Sequence, residues 1–545
     1  MRGKLLVLVL LIGKLMSSDA LVRREVWEFT KESDAYTFLM KRTVKRLGWG
    51  AKDFMRTFEM VLPKEYPFRV VRAYTVNSQG RKIDVPSRNL RSFPYFPFFP
   101  YFSFLRKYEV VFPEVGVPSE SHVEVRGRVQ EVLDARFPLL EPYPSLEKRW
   151  AFVGFKKVFF HAQGFSPQVM KEPRMGEEAT VLRFVNLPPY PHEPLQPRVP
   201  SLVVSARQGW GELEAEVKEV LNSEGLKDKF KFPDLSSALE YLKARLKPVR
   251  FPLRFSLLYA RSEKEVLESG YASPVEMAMV LRAVLRNSGY EPIIYFSAPQ
   301  DAFSEEVPAI SQFDEVGVYV AKPGLYITSD LKPVRFPVDR VLWIFSSTPH
   351  FQRTSPIGAE QNLLRVRIRI EGERLQGELE GSGNFVLYGN APEVGKAYLR
   401  KMGISAELQE ARIVGNLLTF SALLRGRDNL IRIKPDIGLL PEGAEGFAED
   451  RITPVEFPQP FQVDIKLEIL RPGQIIYLPP SKKRNFSMGR FSLEVEKGRE
   501  SVSLHFSLTL SRRRIPPSEA PRLAELIQLC RSKELTSLIF LPNRF

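Results

Sequence analysis

The feature that most constrains the fold of this chain is an alternation of apolar and polar residues with the period of a β-strand, interrupted repeatedly by proline. The sequence holds 44 prolines in 545 residues. Proline fixes its own φ angle and lacks a backbone N–H, so it ends helices and is excluded from central strands. Short alternating runs bounded by proline therefore predict strands and loops over long helices in most of the chain.

The first long region, residues 21–200, alternates in the strand period throughout. Residues 36–44 and 54–62 predict one pair of strands, and residues 70–76 and 82–85 flank a turn signal at 77–80. We interpret this region as an all-β domain of the sandwich type.

The pattern changes near Ser201, where apolar residues begin to recur at helical spacing. Strands follow these helices, so the region 201–345 predicts an α+β domain. From residue 346 to residue 545 the strand period returns, and we expect a mainly-β C-terminal domain with one helix at 520–530. The predicted helices of the middle region are 210–221, 235–246, 263–267 and 274–287, and its predicted strands are 292–297, 316–321 and 325–328.

The first twenty residues have the pattern of a secretory signal peptide. Arg2 and Lys4 precede a short apolar core at 5–13, and small residues stand at 18–20, where a signal peptidase would cut. The expectation is an exported protein that is periplasmic or extracellular, with an uncleaved N-terminal membrane anchor as the alternative. No later stretch approaches the ~18 apolar residues of a membrane-spanning helix.

The formal net charge is +15, and the excess is spread along the chain in small clusters such as 482–484 and 512–514. Without a concentrated basic stripe, this distribution argues against nucleic acid as a partner. Two interpretations stay open: a solvated basic surface, or peripheral association with an anionic envelope surface.

Cys530 is the only cysteine, so an intramolecular disulfide and thiolate metal sites are excluded. The five histidines show no metal-ligand spacing, and no Gly-rich phosphate loop is present. We therefore expect no metal and no cofactor. Cys530 follows Leu523 and Ile527 at core spacing and is predicted to be buried.

Residues 270–292 carry a resemblance to a known layout, together with several shorter stretches in a fixed order. The chain resembles bacterial exported proteins with an N-terminal β domain of unknown function, a transglutaminase-like core and a C-terminal β domain of unknown function. The resemblance implies a papain-like α+β core. The other stretches that carry it are 73–75, 80–83, 111–114, 203–210, 313–318, 325–330, 490–493 and 515–516.

In that family a cysteine at a helix N-terminus is the nucleophile, a histidine on a following strand is the base, and an aspartate on the next strand orients the histidine. The resemblance places Pro274 at the cysteine position, Glu315 at the histidine position and Asp330 near the aspartate position. Residues 201–349 contain neither cysteine nor histidine. The resemblance therefore implies a catalytically degenerate member, a pseudoenzyme.

Ser273 is the one candidate for a substitute nucleophile. It needs a base, and Glu315 would serve poorly unless its pKa were raised far. The alternative is structural: Ser273 caps the helix that begins at Pro274, and Glu276 completes a capping box. We expect Glu315 to be a surface or ion-paired residue at a strand edge, and Asp330 to begin a loop.

Residues 93–104 form the most unusual segment, with aromatic residues separated by prolines. The segment either packs under the β domain or forms an exposed aromatic loop that docks on a partner or a membrane interface. The candidate contact residues in the second case are Phe96, Phe98, Phe99 and Tyr101.

Together these features predict an exported, non-enzymatic protein that binds a peptide or protein partner in the cell envelope or acts as a scaffold there. One alternative is a hydrolase or acyltransferase with a rebuilt site around Ser273, Glu315 and Asp330. The other alternative is a purely structural surface protein.

Overall fold

A computed structural model describes residues 19–541, except for 34, 194, 223–225, 227–229, 347, 388 and 425–450. The predicted signal peptide therefore lies almost wholly outside the described residues. By its internal contacts the chain divides into two compact units: residues 1–192, 198–220 and 301–313 form the first, and 193–197, 221–300 and 314–545 form the second. The molecule is multidomain and mostly β, with several sheets and a central helical region.

The first unit is built on an eight-stranded mixed sheet in the order β12-β13-β10-β1-β2-β8-β4-β5. Two three-stranded sheets, β11-β14-β9 and β3-β7-β6, contribute side chains to the same hydrophobic core as the large sheet. The strands are β1 (Ala20–Glu32), β2 (Ala35–Arg46), β3 (Thr57–Pro63), β4 (Phe68–Val76), β5 (Lys82–Asp84), β6 (Leu90–Pro94), β7 (Leu105–Val111), β8 (Ser119–Val129), β9 (Asp134–Pro138), β10 (Ser145–Val153), β11 (Phe159–Ala162), β12 (Gln168–Arg174), β13 (Glu177–Leu187) and β14 (Ser201–Ser205).

The alternation of apolar and polar residues that predicted these strands corresponds to an alternation of buried and more exposed residues in the structure. In β8, every second residue from Ser119 to Val129 is buried. The strand pairing was predicted wrongly, however. β2 pairs with β1 and β8, whereas β3 pairs with β7 in a separate sheet. The reason is β1, a long strand that we did not predict and that forms a tight hairpin with β2.

The second unit contains three of the four predicted helices and the six-stranded sheet β20-β19-β18-β17-β21-β22. The helix 274–287 has the predicted bounds, and 253–258 is a further helix that the pattern did not reveal. Helix α1 (Trp210–Leu221) belongs to the first unit except for its last residue. The elements that follow are α2 (Leu235–Arg245), β15 (Lys247–Pro248), α3 (Leu253–Leu258), α4 (Glu263–Ser269), β16 (Tyr271–Ala272), α5 (Pro274–Asn287), β17 (Pro292–Pro299), β18 (Glu315–Val320), β19 (Leu325–Thr328), β20 (Pro333–Val334), β21 (Arg340–Phe345) and β22 (His350–Arg353).

The rest of the second unit is an eight-stranded sheet in the order β25-β26-β24-β23-β28-β32-β31-β30, whose apolar face forms one core with the C-terminal helices. Cys530 lies in that core and is 2% exposed, as predicted. The remaining elements are β23 (Leu363–Glu371), β24 (Arg374–Gly381), α6 (Ala391–Lys401), β25 (Ala406–Val414), β26 (Leu417–Leu424), β27 (Val455–Glu456), β28 (Phe461–Leu470), β29 (Gln474–Tyr477), β30 (Lys482–Phe486), β31 (Gly489–Lys497), β32 (Ser501–Leu510), β33 (Arg514–Ile515), α7 (Ala520–Arg531), α8 (Lys533–Thr536) and β34 (Ile539–Leu541).

Two elements of this part differ from the sequence prediction. Helix α6 was missed, although Asn390 caps it and Pro392 stands in its first turn, which are both helix-start signals. The predicted strand 535–541 is a short helix followed by β34. In the part of the chain that the structure describes, no helix has the length and apolar character needed to cross a membrane.

Candidate functional site

The start of α5 is the place where the sequence puts the degenerate nucleophile. Ser273 has the extended backbone of an N-cap, with φ −73° and ψ 166°, and Pro274 is the first helical residue. The Glu276 carboxylate accepts the backbone N–H of Ser273 at 2.8 Å. This bond is the half of a capping box in which the acidic side chain reaches back to the N-cap, as predicted.

The Ser273 hydroxyl is closed off from solvent. Ser273 is 1% exposed, and its Oγ accepts a hydrogen bond from Ser256 Oγ at 2.8 Å. Ser256 Oγ in turn accepts the backbone N–H of Val275 at 2.9 Å, one of the donors that a helix start leaves without an intrahelical partner. The two serines therefore cap the helix, because their hydroxyl groups satisfy each other and the backbone.

Beneath the two serines lies a buried ion pair. Glu276 is fully buried, and its carboxylate accepts from Arg261 Nε at 2.7 Å and Nη2 at 2.9 Å. Arg261 also donates to Ser269 Oγ and to the Tyr271 carbonyl, each at 3.0 Å. Burial by itself lowers the pKa of the Arg261 guanidinium, but its bonds to Glu276 outweigh that effect and leave the pKa raised.

Glu315, at the position of the base, begins β18, which lies between β17 and β19 inside the sheet. The expectation of a strand-edge residue was therefore wrong. Its carboxylate accepts a long hydrogen bond of 3.4 Å from the Tyr295 hydroxyl. Burial raises the pKa of Glu315, and the negative charges of Asp314 and Asp330 add to this while Arg340 opposes it.

Glu315 and α5 belong to opposite faces of the sheet. Tyr295, the partner of Glu315, packs with Leu342 and Ile344 in a small cluster composed of strand residues. Helix α5 contacts β17 and β18 and lies outside that cluster. Because side chains alternate between faces, the fully buried Val316 and Val318 point toward the helix and Glu315 points away from it.

Asp330 lies in an exposed turn after β19, in the loop position that we expected. The structure thus brings Asp330 within electrostatic range of Glu315, but it gives Ser273 and Glu315 different partners on different faces. A serine nucleophile needs a base within about 3 Å of its hydroxyl. The predicted substitute site is not assembled in this arrangement.

A polar cluster beside Glu315 was missed by sequence reasoning. The Arg340 guanidinium donates to Ser297 Oγ at 2.7 Å and forms an ion pair with both carboxylate oxygens of Asp314. Asp314 is adjacent to Glu315 in the sequence, but Arg340 lies on β21, and only the strand order brings it there. The pair anchors the beginning of β18 to β21.

A cleft of about 770 Å³ opens on the Tyr295 face of the same sheet. Tyr319 and Tyr326, whose rings lie 4.6 Å apart, form part of its wall, and Arg335 and Arg353 bring two positive charges. Phe336 at its rim is 49% exposed. No acidic residue lines the cleft among the described residues. The other lining residues are Gly324, Pro337, Gln352, Thr354, Ser355, Pro356, Ile357 and Gln361.

The predicted aromatic contact residues divide into two kinds. Phe98 is 88% exposed and Tyr101 is 56% exposed. Phe96 and Phe99 are half-buried and pack against Phe102, which is 2% exposed. The base of the segment is therefore packed and its tip is exposed, while docking of the tip on a partner or a membrane stays a prediction.

The described residues contain no group of three or more His, Cys, Asp or Glu side chains arranged to hold a metal ion. No family model matches the sequence, and no curated protein matches it. Among solved structures, the fold is similar to that of a protein from Parabacteroides distasonis titled a "putative protease", at a TM-score of 0.70 and 14% identity. The match covers 96% of this chain and 99% of that one. At this identity the likeness shows a similar fold over nearly the whole chain and nothing further.

Proposed function

We propose that this chain is an exported, non-enzymatic member of a transglutaminase-like fold that binds a peptide or protein partner in the cell envelope. In this proposal residues 21–200 are a β-sandwich domain, 201–345 the transglutaminase-like core and 346–545 a C-terminal β domain. The proposed compartment is the periplasm or the cell exterior, which fractionation and N-terminal sequencing of the native protein would check.

The observation that carries the proposal is the closed start of α5. A papain-like nucleophile needs a reactive side chain that is open to substrate and paired with a base. Here Pro274 occupies the nucleophile position, and the neighbouring Ser273 hydroxyl is buried against Ser256. The likeness to the protein described as a "putative protease" supports a fold shared with that protein, and the local chemistry argues against a papain-like reaction in this chain.

The cleft on the Tyr295 face supports binding rather than chemistry. Tyrosine rings offer flat apolar contact with a polar tip, and arginine is suited to bidentate recognition of carboxylates. A peptide with an acidic side chain or a free C-terminal carboxylate would match the charge of Arg335 and Arg353. We assign the cleft to such a peptide.

One experiment tests the loss of chemistry. Peptidase and transamidase activities of the purified chain are measured beside those of Ser273→Ala, with Ser262→Ala, at the N-cap of α4, as the matched control. We expect no turnover above the buffer blank in any of the three. Turnover by the wild type that disappears only in Ser273→Ala would overturn the proposal.

A second experiment tests the cleft with an array of acidic, neutral and basic peptides. We expect preferential binding of acidic peptides that falls at least tenfold in Arg353→Gln, while Arg365→Gln, an exposed arginine of β23, leaves it unchanged. Equal binding of all peptides would contradict recognition by Arg335 and Arg353, and binding of none would favour a purely structural surface protein.

One observation favours the enzyme alternative, namely the raised pKa of Glu315 beside Asp330. A raised pKa makes a carboxylate a more effective general base near neutral pH. If a rebuilt hydrolase or acyltransferase site exists, its activity should be lost as pH falls below the raised pKa, because protonated Glu315 cannot act as a base, and should be lost at every pH in Glu315→Gln. A pH profile of the activity assay above distinguishes this case.

A further inference from the structure

The hairpin formed by β6, residues 95–104 and β7 carries the most exposed aromatic side chain among the described residues of the chain. Phe98 is 88% exposed, Tyr101 56%, Tyr95 42% and Phe93 38%. Scattered exposed apolar residues are normal, but a contiguous group of aromatic residues marks a contact surface. We call residues 95–104 the aromatic tip.

The aromatic tip has a defined conformation, held by backbone hydrogen bonds and by packing between its rings. Backbone bonds run from Phe99 N to Phe96 O at 3.2 Å, from Phe102 N to Phe99 O at 2.9 Å and from Tyr95 N to Leu105 O at 2.9 Å. The ring of Phe96 lies 6.0 Å from that of Phe102, which is buried. Prolines 97 and 100 further restrict the backbone. A preorganised tip loses little conformational entropy when it inserts into another phase.

The charges around the tip have one dominant sign. Residues 85–108 contain Arg88, Arg91, Arg106 and Lys107 and no acidic residue. Lys107 is ion-paired with Glu59 and Glu109, but Arg88 and Arg91 are exposed. In the adjacent turn, where Lys64 N donates to Phe104 O at 2.7 Å, Lys64 and Glu65 offset each other.

The spacing of rings and charges fits the layers of a lipid interface. Tyrosine side chains are enriched at the level of the headgroups, phenylalanine side chains insert at the boundary with the acyl chains, and basic residues are stabilised near anionic lipids. Arg91 precedes the end of β6 at Pro94 by three residues, roughly 10 Å along a strand, and Arg106 is the second residue after the tip. Phe98 can thus reach the acyl boundary while Arg91 and Arg106 remain among the headgroups.

We propose that the aromatic tip inserts into the interface of an anionic lipid membrane and holds the protein at that surface. This function is independent of the peptide-binding proposal. A groove of a partner protein and the same hairpin of a second copy are the competing occupants. Neither accounts as directly for exposed aromatic rings flanked by Arg91 and Arg106 on a segment, residues 85–108, that has no carboxylate of its own.

Vesicle co-sedimentation of the full chain tests the proposal, with vesicles of phosphatidylglycerol and phosphatidylethanolamine or of phosphatidylcholine alone. We expect binding to the anionic vesicles that weakens about tenfold or more in Phe98→Ser/Tyr101→Ser and falls with added salt. Arg91→Gln/Arg106→Gln should weaken binding to anionic vesicles only.

Trp49→Ser is the matched control. Trp49 is 72% exposed and precedes β3, whose first residue, Thr57, pairs with Val111. It lies toward the end of the three-stranded sheet away from the tip, since Pro63 at the other end of β3 pairs with Leu105. This variant removes an exposed aromatic ring outside the aromatic tip, so it should bind the vesicles as the wild type does.

A direct readout comes from Phe98→Trp, whose added indole emission should shift to the blue with anionic vesicles and be quenched by brominated lipid. Any one of three results would overturn the proposal: no vesicle binding by the wild type, equal binding by the tip variant, or no quenching of the introduced indole. Self-association that disappears in the tip variant, with no vesicle binding, would instead assign the tip to a second copy.

Discussion

The start of α5 and the aromatic tip carry the two most unusual sequence patterns in the chain, and the structure treats them in opposite ways. At the start of α5 polar groups are buried: Ser256, Ser273 and Glu276 are each at most 1% exposed, and their hydrogen-bonding groups meet one another, Arg261 or the backbone. At the tip apolar groups are exposed, with Phe98 at 88%.

The comparison shows that the residues which stabilise the fold and the residues which are available to contact another molecule lie in different parts of the chain. Buried polar groups are costly unless each is satisfied, so a network of this kind constrains the fold and leaves no hydrogen-bonding capacity for a substrate. An exposed ring contributes little to folding and keeps its apolar surface for another molecule. The predictions below test that separation, from the largest expected effect to the smallest.

Glu276→Ala should have the largest effect. The substitution leaves the Arg261 guanidinium buried without its carboxylate, which typically costs about 3–5 kcal/mol of the free energy of unfolding. Urea denaturation would measure it. Glu265→Ala is the matched control, because Glu265 forms the same capping box with Ser262 on α4 but is exposed. We expect about 0.5–1 kcal/mol there. Equal losses of stability in the two variants would mean that the buried Arg261–Glu276 ion pair contributes no more than an exposed capping box.

Ser256→Ala should come next. It removes the acceptor of the buried Val275 N–H, and an unsatisfied buried donor costs about 1–3 kcal/mol. Ser273→Ala removes only the acceptor of the Ser256 hydroxyl, which can rotate, so we expect a smaller loss of about 1 kcal/mol. The reverse order in denaturation midpoints would show that Ser273 has a role beyond the one its contacts provide.

Glu315→Gln should change how the stability of the protein depends on pH more than it changes the denaturation midpoint at any single pH. The folded pKa of Glu315 lies above its unfolded value, so its favourable contribution is present below the unfolded pKa and is lost as pH rises through the folded one. The glutamine variant should therefore lose less stability than the wild type between pH 4 and pH 8. Denaturation midpoints across this range would show it, with the exposed Glu360→Gln as the control. Parallel curves for wild type and Glu315→Gln would contradict the raised pKa.

Phe98→Ser should have the smallest effect on folding, within about 0.5 kcal/mol of the wild type, as surface substitutions usually are. Phe102→Ser, at the buried base of the same segment, should cost about 3 kcal/mol or more because it removes a core aromatic ring. Thermal unfolding of both variants would check this pair. A large loss in Phe98→Ser would mean that the tip is covered in the folded protein.

Local patterns predicted much of the architecture. The bounds of α1, α5 and β19 agree with the sequence prediction, because apolar period, Pro274 and Ser273 are local signals. The burial of Cys530 followed from helical spacing in the same way. The pairing of β2 and β3 was predicted wrongly, since hydrogen-bonded neighbours in a sheet are chosen among all strands and not only adjacent ones.

The sequence by itself determined that thiol and imidazole chemistry is absent from residues 201–349, and that a capped helix begins at Pro274. Only the tertiary structure decided that the Ser273 hydroxyl is closed by Ser256, that Glu315 and α5 lie on opposite faces of one sheet, and that Arg340 reaches Asp314. It also decided which rings of the aromatic segment are packed and which are open. The physical reason is that residue type and spacing fix local conformation and chemical capacity, whereas burial and partnership depend on contacts between residues far apart in the chain.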